Sequence, residues 1–449
     1  MSLPKKMFNS AAGMLLQQVV NFTSIFLITA LIVRNISRSE YGEMALALSY
    51  GVIFNMLNVA VSSILLRDYP KLTGEQVSKY MSSFYTLNVY KSGVVILMTI
   101  LIGVYFKYKY DNALLIEILA INTAMIICQN YTEPLQVLFS VTFKQYFITQ
   151  IVFATSIVNV LATLGILVWP SALFVVIKNL IIAIFTLFLY NYFFYKNYNY
   201  KIEYFNNKYL GLLINNLKSF SMWSHLQGVF SDIIYRADIL ILGWLNTPFQ
   251  TLGNYNIALQ LSNMTKIIPQ IIQYHTTLSV SNITDEEKKN EVVHIFLKVN
   301  FIFSVFIMLG YIFLGKSLIS IIAKTHYEEI FEYGLYILGS LCLLNSFRSL
   351  IAYSIVSHSI KQVVLTVNLP ATIFAVAAYF VGGIYWSLQG VLVANVLISI
   401  VFSLLIVVYI NRKTNYKWSY SIITHYEMTL LHKFVAKIIS KRTNPTIKP

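Results

Sequence analysis

The chain has 449 residues, of which 57% are hydrophobic and only 11% charged, and its mean hydropathy is +0.66. A soluble domain carries about a quarter of its residues as charges. The composition therefore excludes a soluble globular protein and indicates a polytopic membrane protein. The formal net charge of +15 comes mostly from loop residues and the C-terminal tail, so we expect no nucleic-acid partner.

Twelve apolar segments are each long enough to cross a bilayer. They are 11–33, 43–66, 81–106, 113–132, 146–168 and 172–194 in the first half, and 219–245, 252–274, 297–322, 330–356, 362–384 and 388–410 in the second. We therefore predict an all-α polytopic membrane protein with about twelve transmembrane helices in two six-helix bundles that form a central cavity. The fourth span should end at Glu133-Pro134, and Pro269 should kink the eighth.

The predicted organisation has four parts. They are an N-terminal bundle (1–195), a cytoplasmic linker (196–218), a C-terminal bundle (219–410) and a basic cytoplasmic tail (411–449). Most Lys and Arg residues outside the spans fall on the side that holds the linker and the tail, so the positive-inside rule places both termini in the cytoplasm. The tail from Thr429 to Arg442 alternates aliphatic and basic residues, which is typical of an interfacial helix. No Cys or His spacing suggests a metal site, and we expect no cofactor.

A faint repeat with an offset of 211 residues relates the two halves. It matches Asn35 with Asn246 and Gly42 with Gly253, in each half at the turn between the first two helices. Few positions match, but their placement fits a six-plus-six arrangement. Two such halves are related by an axis along the membrane normal, and we expect the binding site in the cleft between them.

The stretch from Ser221 to Leu261 carries several ionisable residues inside a span: His225, Asp232, Arg236 and Asp238. A charge near the centre of a membrane helix costs roughly 2.5–3.5 kcal/mol, so these groups should pair or line a polar cavity. The spacing of Asp232 and Arg236 predicts a salt bridge between them. Asp238 must point elsewhere.

Buried cations outnumber the well-placed carboxylates in the spans. These cations are Lys91, Arg236, Lys266 and Arg348. We expect at least two of them to face an aqueous, anion-binding cavity. Candidate amides for the same cavity are Gln17, Asn21 and Asn263, although amides in membrane helices also bond helices to one another.

Three carboxylates are candidates for ion coupling or charge relay: Glu133, Asp232 and Asp238. A buried carboxylate held between desolvation and a nearby cation can take up and release a proton or a sodium ion. Asp238 has an alternative interpretation, an inter-helix salt bridge with Lys266 or Lys91. The sequence leaves both interpretations open.

Three segments carry a resemblance to a known family. They are Gln17-Gln18 followed by VRNISRSEYGEMALA (33–47), then RADILILGWLNTPFQTLGNYNIALQL (236–261), and ISIIAKTHYEEIFEYGLYILGSLCLL (319–344). The chain resembles the polysaccharide and O-antigen flippases of the multidrug/oligosaccharidyl-lipid/polysaccharide exporter superfamily. The resemblance implies a V-shaped pair of bundles in the bacterial inner membrane. It also implies outward transport of undecaprenyl-diphosphate-linked oligosaccharide, coupled to H+ or Na+, alongside other polysaccharide assembly proteins.

The chemistry of that substrate agrees with the residues, because a lipid diphosphate needs cations, preferably Arg, and a glycan needs amides. Two other functional classes are alternatives. A multidrug or metabolite antiporter of the same superfamily would need an acidic cavity to export organic cations. A membrane-embedded glycan polymerase would be expected to have a sizeable outer loop, and the outside loops here are short. We therefore expect a transporter and not an enzyme.

Overall fold

The structure is a computed structural model that describes residues 20–55, 69, 72–142, 144–198, 200, 202–203, 205, 210–211, 222–283, 285–323, 327–357 and 360–413. Every regular element within these ranges is helical. Gln17 and Gln18, most of the predicted linker and the tail segment 429–442 lie outside the described residues.

Each predicted span corresponds to a helix or to a broken pair of helices in the described part of the chain. The first half contains α1 (Val20–Asn35), α2 (Arg38–Asn55), α3 (Gly74–Tyr110), α4 (Ala113–Val141), α5 (Gln145–Thr163) and α6 (Ala172–Asn197). The second half contains α7 (Met222–Trp244), α8a (Phe249–Met264), α8b (Ile267–Asn282), α9 (Glu286–Ile322), α10a (Tyr327–Ser346) and α10b (Arg348–Ser357). A final helical run, 360–413, divides at Trp386 and Ser387 into α11 (360–385) and α12 (388–413). By length and composition, six described helical runs could cross a membrane, and the bent α10a–α10b pair would make a seventh.

The helix ends lie at two faces of the bundle. We call the face that holds the turns after α1, α3, α5, α7, α9 and α11 the Asn35 face, and the opposite one the Lys144 face. Polar side chains cap the N-termini of helices at both faces. Asn112 accepts from the backbone N–H of Leu114 at 2.9 Å to cap α4 at the Asn35 face, and Asp285 accepts from that of Glu287 at 2.9 Å to cap α9 at the Lys144 face.

α4 continues through Pro134 to the end of its 29 residues, so the prediction that the fourth span ends at Glu133-Pro134 is wrong. A proline leaves the carbonyl four residues earlier without its helical partner, and here that carbonyl belongs to Asn130. The side chain of Asn88, on α3, donates to it at 2.7 Å. Because a neighbouring helix satisfies the freed carbonyl, α4 is not interrupted.

Two spans are broken near their middle. Pro269 interrupts the eighth as predicted, but the break lies upstream at Thr265 and Lys266, because a proline ring clashes with the carbonyl four residues before it. The tenth span bends by 42° at Phe347 without a proline. As a result, Lys266 is the N-cap residue of α8b, and Arg348 is the first residue of α10b.

The two halves repeat one packing scheme. In the first half, α4 packs against α2, α3 and α6. In the second half, α10a packs against α8a, α9 and α12. α4 and α10a thus hold equivalent positions, and the faint sequence repeat is matched by the packing.

The halves cross where α2 meets α8a, at Gly42 and Gly253. A Cβ atom on Gly42 would lie 1.8 Å from the carbonyl oxygen of Phe249, and one on Gly253 would lie 2.2 Å from that of Arg38. Arg38 and Phe249 are separated by the same 211 positions as the two glycines, so the two close approaches are equivalent. Only residues without a side chain let the backbones come this close.

Further contacts join the halves at the Asn35 face. Arg34 Nε donates to the carbonyl of Ile321, near the end of α9, at 2.8 Å. Lys109 Nζ donates to the carbonyl of Trp244, the last residue of α7, at 2.5 Å and lies 5.3 Å from the centre of its ring. In both contacts a basic residue of the first half caps a helix of the second half, where the helix dipole favours a cation.

Candidate functional site

Three of the four predicted cations come together in the second half. Lys266 lies within the electrostatic influence of both Arg236 and Arg348. The side chain of Arg236 is exposed, and Arg348 is half-buried and donates to Gln273 Oε1 at 3.3 Å. Lys266 Nζ lies 4.1 Å from the centre of the Tyr235 ring, which is a cation–π contact. The cluster concentrates positive charge at the junction of α7, α8b and α10b.

Two of these cations coincide with the starts of half-helices. The first backbone N–H groups of a helix lack intrahelical partners and carry the positive end of the helix dipole. In discontinuous membrane helices, such ends point at anionic groups of the substrate. Lys266 on α8b and Arg348 on α10b therefore combine a basic side chain with oriented peptide dipoles. This arrangement is suited to an anion.

The fourth cation, Lys91, lies apart in the first half on α3. It is 7% exposed, and its ammonium group has no hydrogen-bond partner among the described residues. The charge that acts on it is that of Glu133, a half-buried residue of α4. The structure therefore does not group Lys91 with the other three cations.

Asp238 is buried, with 1% of its surface exposed. Its Oδ1 accepts from the backbone N–H of Ile239 at 2.8 Å, and its Oδ2 accepts a short hydrogen bond from Tyr255 Oη. No described ammonium group lies within salt-bridge distance of it. Lys266 acts on it only at longer range, so the structure does not contain the direct ion pair that was one of the two interpretations.

A hydrogen-bond network extends from Asp238 through three further helices. Asn395 Nδ2 donates to Tyr255 Oη at 3.0 Å. Tyr379 Oη lies 2.7 Å from Asn395 Oδ1 and 3.0 Å from the carbonyl oxygen of Ile234. The network links α7, α8a, α11 and α12, and it gives the buried carboxylate neutral hydroxyl and amide neighbours.

A small cavity borders this network. Its volume is about 10 Å³, and Lys266, Tyr379, Asn395 and Ser399 contribute to its lining. A cavity of about this size holds one water molecule. A single water or small ion there would sit between the cation cluster and the Asp238 network.

The other predicted site residues have diverse surroundings. Asp232 is half-buried, and the positive charges of Arg236 and Lys266 act on it. The predicted Asp232–Arg236 salt bridge is nevertheless not among the salt bridges that the described residues form. Asn263 Oδ1 is buried and accepts no hydrogen bond from the part of the chain that the structure describes. Asn21 is half-buried on α1, and Gln17 lies outside the described residues.

The sequence did not identify Tyr255, Tyr379 or Asn395 as site residues. Tyr255 stands in the conspicuous Gly253-Asn254-Tyr255 segment, which is the one signal that could have found it. Tyr379 and Asn395 lie in strongly apolar helices without a recognisable spacing. Their role emerges only from the packing of α11 and α12 on α7 and α8a.

A family model described as a polysaccharide biosynthesis protein matches residues 31–332, which is more than half of the chain. The chain belongs to this polysaccharide biosynthesis protein family. The match begins in α1 and ends in α10a, so it includes Lys91, Arg236, Asp238 and Lys266. No curated protein sequence matches the chain significantly.

Solved structures establish the fold of this family member. A structure of the lipid II flippase MurJ in an inward closed conformation superposes with a TM-score of 0.69 at 12% identity, covering 90% of this chain and 87% of that chain. An inward-facing multidrug resistance MATE family transporter of the MOP superfamily gives 0.70 at 12% identity, with coverages of 87% and 95%. An outward-facing transporter of that description gives 0.59 at 12% identity, with coverages of 89% and 93%. The predicted fold class, an all-helical membrane protein of two six-helix bundles, is confirmed.

Proposed function

We propose that this protein is a flippase for oligosaccharide linked to undecaprenyl diphosphate, such as an O-antigen or capsule repeat unit. It carries the substrate from the cytoplasmic to the outer leaflet of the bacterial inner membrane by alternating access coupled to H+ or Na+. The observation that carries this proposal is the cluster of Arg236, Lys266 and Arg348, two of which stand at starts of half-helices.

The cluster suits a diphosphate for electrostatic and geometric reasons. Arginine presents a planar fork of donors that matches phosphate oxygens in pairs, whereas lysine acts as a point charge. Arg236 is exposed and Arg348 half-buried, so both can meet a ligand in an aqueous cleft. Lys91 is the proposed fourth cation, supplied by the first half. Gln17, Asn21 and Asn263 are proposed to contact the glycan.

Asp238 is the proposed coupling residue, with Asp232 and Glu133 as charge-relay partners. Its carboxylate is deeply buried, yet it is bonded by a phenol and a backbone N–H instead of an ammonium group. A carboxylate in such surroundings can bind a proton or a sodium ion without first breaking a salt bridge. Binding of the ion at Asp238 would convert the Tyr255–Asn395–Tyr379 network between two arrangements of its hydrogen bonds. Because this network joins α7, α8a, α11 and α12, ion binding would affect the packing of all four helices.

The proposed orientation puts the Asn35 face outside, with both termini, the linker 196–218 and the tail 411–449 in the cytoplasm. The proposed bundles are residues 1–195 and 219–410. Contacts at the Asn35 face, including those of Arg34 and Lys109, hold the halves together there. An outside closed in this way corresponds to a cleft that opens inward.

One other transporter class shares the fold, because the MATE structures are named as multidrug transporters. A cavity for organic cations would need unpaired carboxylates, whereas Arg236, Lys266 and Arg348 make this site basic. The site therefore favours an anionic substrate over a cationic drug. Other polysaccharide assembly proteins that use the flipped product are the proposed partners.

The decisive experiment measures which leaflet holds the lipid-linked repeat units. In cells that lack the protein, the units should stay inside and resist membrane-impermeant periodate. Wild-type protein should restore their oxidation, whereas Arg236→Gln, Lys266→Gln and Arg348→Gln should not, and Arg236→Lys should restore it in part. Lys316→Gln, at an exposed lysine remote from the cluster, is the matched control. Units that reach the outside but stay unpolymerised in the deletion strain would indicate a polymerase instead.

A further inference from the structure

A second pocket lies in the first half, between α4 and α6. Its volume is about 250 Å³, and Gln129, Thr132, Asn179 and Thr186 supply its polar lining. None of its described lining residues is charged. The pocket is thus chemically unlike the basic cluster of the second half.

The pocket opens away from the lipid. On α6, the large exposed hydrophobic residues recur as Ile181, Ile184, Phe188, Tyr192 and Tyr195, which mark one stripe of the helix. At 100° per residue, Asn179, Ile182 and Thr186 fall on the opposite side of α6. The described residues of α4 include no exposed large hydrophobic residue, although Gln129 itself is exposed. The pocket therefore faces the protein interior or an aqueous cleft.

Its counterpart in the second half is closed. The equivalent groove between α10a and α12 borders the cavity of about 10 Å³, and there Ser340 bonds to Ser399 and to the carbonyl of Asn395. In the first half, the side-chain amides of Gln129 and Asn179 make no hydrogen bond to described residues. The two grooves are therefore equivalent in position but different in bonding. In the second half the groove side chains bond to one another, whereas in the first half the groove contains amides that bond to no described residue.

The lining offers donors and acceptors in the combination that a neutral polyol requires. Thr132 Oγ1 donates to the carbonyl of Gln129 at 2.8 Å, and Thr186 Oγ1 donates to that of Ile182 at 2.7 Å. With their protons engaged, both hydroxyl oxygens remain acceptors for ligand O–H groups. The amides of Gln129 and Asn179 can both donate and accept. Drug-sized ligands occupy pockets of roughly 300–1,000 Å³, so this pocket suits a single ring.

We propose that the α4–α6 pocket binds one pyranose ring of the transported glycan, through the amides of Gln129 and Asn179 and the hydroxyls of Thr132 and Thr186. This inference rests on the proposed function and divides its substrate between the halves: the second half holds the diphosphate, and the first half recognises the sugar. Glycan selectivity then resides in α4 and α6.

The test compares two probes on the purified full-length protein in nanodiscs: undecaprenyl diphosphate, and undecaprenyl diphosphate that carries one hexose or one N-acetylhexosamine, each measured separately. Wild-type protein should bind a glycosylated probe about tenfold more tightly than the bare lipid, which corresponds to a few net hydrogen bonds. The Gln129→Ala/Asn179→Ala double variant should lose this difference and keep its affinity for the bare lipid. Arg236→Gln should weaken the binding of both probes by the same factor.

Matched controls are Gln136→Ala, an exposed amide on α4 outside the pocket lining, and Asn191→Ala, whose side chain bonds to its own helix at Leu187. Both should keep the tenfold difference. The inference is overturned if the double variant retains the preference for sugar, or if wild-type protein binds bare and glycosylated probes equally. Failure to bind the bare diphosphate lipid would instead contradict the proposed function, and pocket-dependent binding of free methyl pyranosides would then still support the sugar site.

Discussion

Gly42 and Gly253 bring the backbones of α2 and α8a into contact where the two halves of the protein cross. Gly42→Ala would put a methyl group 1.8 Å from the Phe249 carbonyl oxygen. We expect it to push the halves apart and to cost about 1–3 kcal/mol, as overpacking does elsewhere. Thermal unfolding of the purified protein and restoration of glycan export should both show the loss.

The matched control for this substitution is Gly310→Ala, because nothing lies within 4 Å of a Cβ atom at Gly310. It should leave export unchanged and the unfolding temperature unchanged or higher, since alanine favours the helix. If the protein tolerated alanine equally at positions 42 and 310, the close backbone contact between α2 and α8a would be contradicted.

Neutralising the basic residues at the Asn35 face should open that face. Leu46 is fully buried and lies against Gly243 of the second half. A cysteine in its place should therefore become accessible to a labelling reagent when the two halves separate. In a Leu46→Cys background, Arg34→Gln with Lys109→Gln should increase labelling by a membrane-impermeant maleimide. Lys107→Gln, which removes only a bond to Asp111 on the same turn, should not. Labelling unchanged by the double substitution would mean that these contacts do not hold the face closed.

Asp238 and Tyr255 should be coupled in transport. Tyr255→Phe removes the hydroxyl that bonds the buried carboxylate, and an unsatisfied buried acceptor costs about 1–3 kcal/mol. We expect Tyr255→Phe to alter the dependence of transport on external pH or Na+, and Asp238→Asn to abolish it. Tyr190→Phe, at a buried tyrosine of the other half, is the control. Restoration of coupled transport in Asp238→Asn by Lys266→Gln would instead assign Asp238 to charge balance.

Lys91 and Glu133 should behave as a charge pair within the first half. Each single substitution, Lys91→Met or Glu133→Gln, leaves a buried or half-buried charge without its counterpart, which is destabilising. The double variant should unfold at a higher temperature than the sum of the single effects predicts, as in a double-mutant cycle. Strict additivity would show that the two charges do not interact and would contradict this prediction.

Hydropathy predicted the helices, and the internal repeat with its offset of 211 residues predicted the two halves and the glycine pair, because these features are visible along the sequence itself. The break before Pro269 was also predictable from proline stereochemistry, whereas the bend at Phe347 has no local signal. Pro134 misled the prediction because its effect depends on Asn88, a residue of another helix. Tyr379 and Asn395 escaped for the same reason, since both lie on helices distant in sequence from Asp238.

The contacts of Arg34 and Lys109 end on carbonyls of the last turns of α9 and α7. Such carbonyls have no partner within their own helix, and at the surface of the membrane water can replace the side chain that leaves them. Separating the halves at this face therefore leaves no polar group without a hydrogen-bond partner in an apolar environment. The two access states can then lie close in free energy, and a bound cargo that prefers one of them by a few kcal/mol decides which is populated.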